Sequence, residues 1–111
     1  MAGAEKIFET KVKAFLKKEG VWHLKYWGGG GFTKSGIPDI LACVNGIFVG
    51  IELKATNGRP SALQLYNIDE IRRSGGIAMV LYPNDYCKFM RLIKTLKKQQ
   101  TNNFSELWDK E

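Results

Sequence analysis

Residues 36–54 read Gly36-Ile37-Pro38-Asp39-Ile40-Leu41-Ala42-Cys43-Val44-Asn45-Gly46-Ile47-Phe48-Val49-Gly50-Ile51-Glu52-Leu53-Lys54. Two apolar runs flank Asn45-Gly46, a pair that accepts positive φ at both positions and so marks a two-residue hairpin turn. With those residues as the turn, Val44 pairs with Ile47, and stepping outward along both strands sets Asp39 directly opposite Glu52. This pair falls in the non-hydrogen-bonded class, where Cα atoms approach to about 4.5 Å. Strand alternation sends Ile40, Ala42, Val44, Ile47, Val49, Ile51 and Leu53 to one side, which must be core. The other side carries Asp39, Glu52 and Lys54.

Like charges facing each other across a sheet are destabilising, so the two carboxylates call for a raised pKa on one of them or for a bound cation. Few, hard oxygen ligands suit Mg²⁺ or Mn²⁺ better than zinc. Such an ion polarises a phosphate and acidifies bound water, and Lys54, on the same face as Glu52, can position that water. The pattern therefore points to phosphodiester hydrolysis. Its separate parts are weak: Glu-x-Lys recurs at Glu9-Thr10-Lys11, and Pro-Asp is commoner still. Their joint placement across a hairpin with a wholly apolar opposite face is what carries information. The structural alternative is that Lys54 bridges exposed carboxylates on a solvated face.

Outward from the hairpin, Phe8, Val12, Phe15 and Leu16 recur at helical spacing within residues 4–19, with lysines elsewhere on the cylinder and Gly20 as the stop. Residues 21–27 read as a strand, followed by the glycines Gly28 to Gly31 and a polar stretch to Gly36, expected to be a mobile edge of the cleft. After the hairpin, Ser61 can cap a helix to about Ser74, ended by Gly75-Gly76. A strand over 77–82 and a helix over 84–98 follow. The expected fold is α/β, a mixed four-stranded sheet flanked by helices in the order α-β-β-β-α-β-α, with the second helix crossing over to a parallel strand. Residues 1–98 form one domain. The tail, 99–111, carries Phe104, Leu107 and Trp108 on one face of a short helix, expected to pack on the domain or at a dimer interface.

The 111 residues suffice for one core, and 44% hydrophobic with 25% charged residues spread along the chain exclude disorder and fibrous classes. Seventeen Lys and Arg against eleven Asp and Glu leave a net charge of +6, which favours a polyanionic partner. Cys43 and Cys87 form no CxxC or Cys/His cluster and are expected to be buried thiols of a reducing compartment. No apolar run approaches the ~20 residues of a membrane span, and the N-terminus lacks a signal-peptide core. The expectation is a cytoplasmic protein of a bacterial or phage genome with no membrane contact. His23, alone in its strand, reads as structural. The glycine run lacks the lysine and hydroxyl of a P-loop, which excludes an NTPase reading.

The string Gly36-Ile37-Pro38-Asp39, the hairpin, Glu52-Leu53-Lys54, and Gln64 on a helix ending in Gly75-Gly76 resembles the VRR-NUC family of PD-(D/E)XK nucleases over residues 9–82. The resemblance implies a restriction-endonuclease-like core, with Asp39, Glu52 and the Leu53 carbonyl as metal ligands and Lys54 as the catalytic lysine. It further implies site roles for Glu9 and Gln64. Glu9 otherwise reads as a solvated helix charge, and Gln64 as an amide on an apolar helix face, where it would need partners. Lys25, Lys34 and Arg59 flank the site as candidate phosphate contacts. Stand-alone members that the chain resembles act as Holliday-junction-resolvase-like homodimers, which implies a metal-dependent DNA endonuclease selective for branched DNA. Two alternatives stay open: a non-catalytic basic DNA-binding module, and a nuclease subunit active only when recruited by a larger complex.

Overall fold

The structure, a computed structural model, describes residues 3–28, 34–99 and 104–110. Its elements are α1 (Ala4–Lys18), β1 (Trp22–Lys25), β2 (Ile40–Val44), β3 (Ile47–Leu53), α2 (Ala62–Arg73), β4 (Ile77–Leu81), α3 (Tyr86–Lys98) and α4 (Ser105–Asp109), with a 3₁₀ turn at Pro83–Asp85. The sheet runs β1-β2-β3-β4, antiparallel except between β3 and β4. The mixed, helix-flanked α/β architecture expected from sequence is therefore present, including the α2 crossover to a parallel strand.

The hairpin register follows from its turn. Asn45 and Gly46 take φ of 52° and 84°, the two positive values that match a tight connection to the twist of the flanking strands. Val44 pairs with Ile47 and Ile40 with Ile51. One sheet face then presents Ile40, Ala42, Val44, Val49, Ile51 and Leu53, all buried, to α1 and α3. α1 contributes Phe8, Val12, Phe15 and Leu16. Edge-to-face contacts of Phe15 with Phe89 and of Phe8 and Phe15 with Tyr86, ring centroids 6.0–6.2 Å apart, lock α1 against α3.

α2 lies on the opposite face, over β3 and β4. Gly50, between the core residues Val49 and Ile51, faces it so closely that a Cβ there would stand 3.0 Å from Ile71 and 3.2 Å from Pro38. The missing side chain is what lets the helix settle onto the sheet. Because α2 covers only that half, the row Trp22, Cys43 and Phe48 on the same face stays exposed. Cys43 and Cys87 are consequently exposed free thiols, a correction to the expectation of buried ones: Cys43 alternates with Ala42 and Val44 onto the uncovered face, and Cys87 points outward from α3. Phe104, Leu107 and Trp108 are likewise exposed rather than packed on the domain. The expected mobile stretch at Gly29–Thr33 lies outside the described residues. Among the described residues no helix is long and apolar enough to cross a membrane.

Candidate active site

Asp39 stands one residue before β2, gripped from both sides. Its carbonyl accepts from the Tyr26 amide at 2.8 Å, and its Oδ2 accepts from the Leu53 amide at 2.8 Å. The hairpin partner Glu52 is only 1% exposed, because α2 closes over it. A solvated sheet face is thereby ruled out for this carboxylate. Burial first, and then the negative charge of Asp39, push the Glu52 carboxyl up to about 7, against the pull of Lys54. The like-charge conflict predicted from the hairpin is therefore real and centred on Glu52.

The two Glu52 oxygens differ. Oε2 accepts from Gln64 Nε2 at 3.0 Å and lies 3.5 Å from Lys54 Nζ. Among the described residues Oε1, which is buried, has no hydrogen-bond partner, a condition that costs a polar atom on the order of 1–3 kcal/mol. Gln64 is itself fixed by the start of α2: its amide donates to the Ser61 hydroxyl at 3.1 Å and its Oε1 accepts from the Ser61 amide at 2.8 Å. This reciprocal capping box leaves only the Nε2 side of the amide to reach Glu52. Sequence placed Gln64 on an apolar face in need of partners, and the structure supplies them.

Glu9 is also buried, on α1, and reaches the site through Lys25. Oε1 accepts from Lys25 Nζ, while Oε2 accepts from Lys6 at 2.9 Å and stands 3.6 Å from Lys13. Burial opposes its ionisation, but the hydrogen bonds and charges of Lys25 and Lys6 prevail and hold it down at about 2. Lys25 Nζ is also 3.8 Å from Asp39 Oδ1, so Lys25 links the two carboxylates and is not a free surface cation.

Of the other two candidate phosphate contacts, Arg59 is exposed in the short loop between Lys54 and α2, whose Gly58 carbonyl is tied to the Tyr82 hydroxyl at 2.9 Å. Lys34 is exposed and held by main-chain bonds to the Tyr26 hydroxyl; it lines a hollow that does not include the carboxylates. Sequence reasoning missed Trp27, 71% exposed, with the ammonium groups of Lys25 and Lys6 5.4 and 5.7 Å from its ring centroid. Its position two residues after the strand lysine Lys25 was the only signal available. His23 Nδ1 bonds the Val21 carbonyl at 2.8 Å, in keeping with a structural role.

A divalent ion fits this donor set. Among the described residues no three or more His, Cys, Asp or Glu side chains cluster to hold a metal, so the acidic side chains at hand are the two carboxylates of Asp39 and Glu52. Such hard oxygens leave coordination positions for water and phosphate. The orphaned Glu52 oxygen beside a second carboxylate is the feature that a cation would relieve.

The sequence model of the family described as archaeal Holliday junction resolvase (Hjc) matches residues 3–105 of the chain. Among curated proteins no match to the chain is found.

Proposed function

The chain belongs to the archaeal Holliday junction resolvase family, and from that premise we infer that it is a metal-dependent, structure-selective endonuclease whose reaction is carried by Asp39, Glu52 and Lys54. The observation that carries the assignment of residues is the buried, partnerless Glu52 oxygen beside Asp39. Asp39, Glu52 and the Leu53 carbonyl would hold Mg²⁺ or Mn²⁺, which when bound polarises the scissile phosphate and acidifies water. Within the wider PD-(D/E)XK class, the Gly36-Ile37-Pro38-Asp39 string and the position of Gln64 support a likeness to the VRR-NUC group.

The side chains have separable tasks. Lys54, 3.5 Å from Glu52, holds and orients the attacking water at its ammonium. Gln64 fixes the Glu52 carboxylate by donating to one oxygen and leaving the other for the ion. Glu9 holds Lys25 beside Asp39, so that an incoming phosphate meets a cation already in place. Trp27 offers an apolar ring to an unstacked base at the branch point. Arg59 and Lys34 provide positive charge along the DNA. Two symmetric cuts in a four-way junction require two active sites, which a homodimer supplies.

The test is incubation with labelled junction, flap, single-stranded and duplex DNA in Mg²⁺, Mn²⁺ or chelator. Junction cleavage that needs the metal is expected. Binding without cleavage under every condition would overturn this reading and leave a basic DNA-binding module or a nuclease subunit that cuts only when recruited.

A further inference from the structure

Trp27 lies one residue beyond the last link between β1 and the start of β2, where the Tyr26 amide donates to the Asp39 carbonyl at 2.8 Å. The same short ladder therefore carries the indole and the first carboxylate. Trp27 takes no part in the core cluster and is 71% exposed. What holds its ring is charge: Lys25 and Lys6 lie 5.4 and 5.7 Å from the ring centroid, both within reach of a cation–π contact. Both ammonium groups are in turn bound to the buried Glu9 carboxylate. Lys25 Nζ is also 3.8 Å from Asp39 Oδ1, so the centre of the ring stands within about 9 Å of that carboxylate.

An indole fixed this close to a phosphodiester site meets DNA through its open ring, and only a base with a free face can stack on it. In continuous duplex the neighbours cover both faces of every base, and extruding one costs about as much as the stacking contact returns, or more. A base at a branch has already lost a neighbour. Stacked bases rise about 3.4 Å per nucleotide along a strand, so the ring meets such a base roughly two or three nucleotides from the phosphate held at the carboxylates. We propose that Trp27 sets where the strand is cut: by stacking on the base at the branch it fixes which phosphate reaches Asp39 and Glu52. Continuous duplex, which offers the ring no free base face, is denied that registration. The role rests on the nuclease reading and adds to it the residue that chooses the bond, while the stacking contact itself needs neither metal nor cleavage.

The experiment uses the full chain and four-way junctions that carry photoreactive iodouracil at successive positions beside the branch. In chelator, irradiation should join wild-type Trp27 to the base at one position of the junction, read by peptide mass spectrometry, and to no position of a continuous duplex of the same sequence. This readout needs no variant and stands even if one fails to fold. With Mg²⁺ or Mn²⁺, the wild type should cut at one principal phosphate. Trp27→Ala should spread the cuts over neighbouring phosphates and lower the preference for junction over duplex about 10-fold or more, the loss expected when one base-stacking ring is removed. Trp27→Phe, which keeps a ring, should restore the single cut. Crosslinking that is absent, or equal on junction and duplex, overturns the proposal, as does a Trp27→Ala variant that cuts more slowly at the same phosphate. Branch-confined crosslinking without cleavage in either metal overturns the nuclease reading and the cut-setting role with it, whereas metal-dependent cuts that Trp27→Ala does not move overturn the proposal alone.

Discussion

Replacing Glu52 with glutamine tests the site without any substrate. In the folded chain Glu52 keeps its proton up to about pH 7, whereas in the unfolded chain it releases it near the ordinary value of 4.5. Between those limits the folded state binds more protons, so stability falls as pH rises: the contribution is complete below 4.5 and gone above 7. At about 1.4 kcal/mol per pH unit, this interval corresponds to about 3 kcal/mol. Glutamine keeps the shape, accepts from Gln64 and never ionises. Glu52→Gln should therefore match the wild type near pH 5 and exceed it at pH 8 by up to about 3 kcal/mol, a melting-point gain on the order of 10 °C. The assay is thermal and urea unfolding of both proteins from pH 5 to 8 in chelator, repeated with Mn²⁺. The ion should raise the wild-type melting point at pH 8 and leave the variant unmoved, because its binding requires the ionised carboxylate. Parallel pH profiles, or a variant less stable than wild type at pH 8 in chelator, would refute the reasoning.

Lys54→Ala should abolish junction cleavage while leaving the melting point within about 1 kcal/mol of wild type and junction binding largely intact, as read by a gel assay and by fluorescence anisotropy. Ser61→Ala removes only the cap and should lower stability by about 1 kcal/mol with metal affinity little changed; Gln64→Ala should lower both, so isothermal titration with Mn²⁺ separates the two roles. Glu9 is held at about 2, so its contribution to stability is present above about 4.5 and lost as pH falls toward 2; Glu9→Gln should flatten acid unfolding in that window and reduce cleavage by misplacing Lys25.

The hairpin is where sequence said most. Asn45-Gly46 dictated the register, the register faced Asp39 toward Glu52, and alternation put seven apolar residues on one side; each step is local chemistry that needs no knowledge of the rest of the chain. Gln64 was legible for a related reason, since an amide on an apolar helix face must find partners. What could not be read were long-range placements. The burial of Glu52 depends on which half of the sheet α2 covers, and that same choice left Cys43 exposed where a buried thiol was expected. Glu9 and Lys25 were identified separately, but their pairing joins α1 to β1 across a packing interface, so the link that Lys25 makes between Glu9 and Asp39 could not be read from either residue alone. Predicted strand ends at Trp27, Lys54 and Tyr82 overran the ladders by a residue or two, the usual result where hydrogen bonding stops before β-propensity does.

The capping box at Ser61 has a consequence for the order in which the protein becomes competent. Because one amide both starts α2 and steadies Glu52, the proposed ion site would not be complete until the second helix has wound and docked. With Asp39 and Glu52 as the proposed ligands, a nascent or locally unravelled chain would hold its acidic pair unsupported and would grip a divalent ion weakly. Hydrolytic power thus arrives only with the finished fold, which keeps half-made copies harmless to the genome around them.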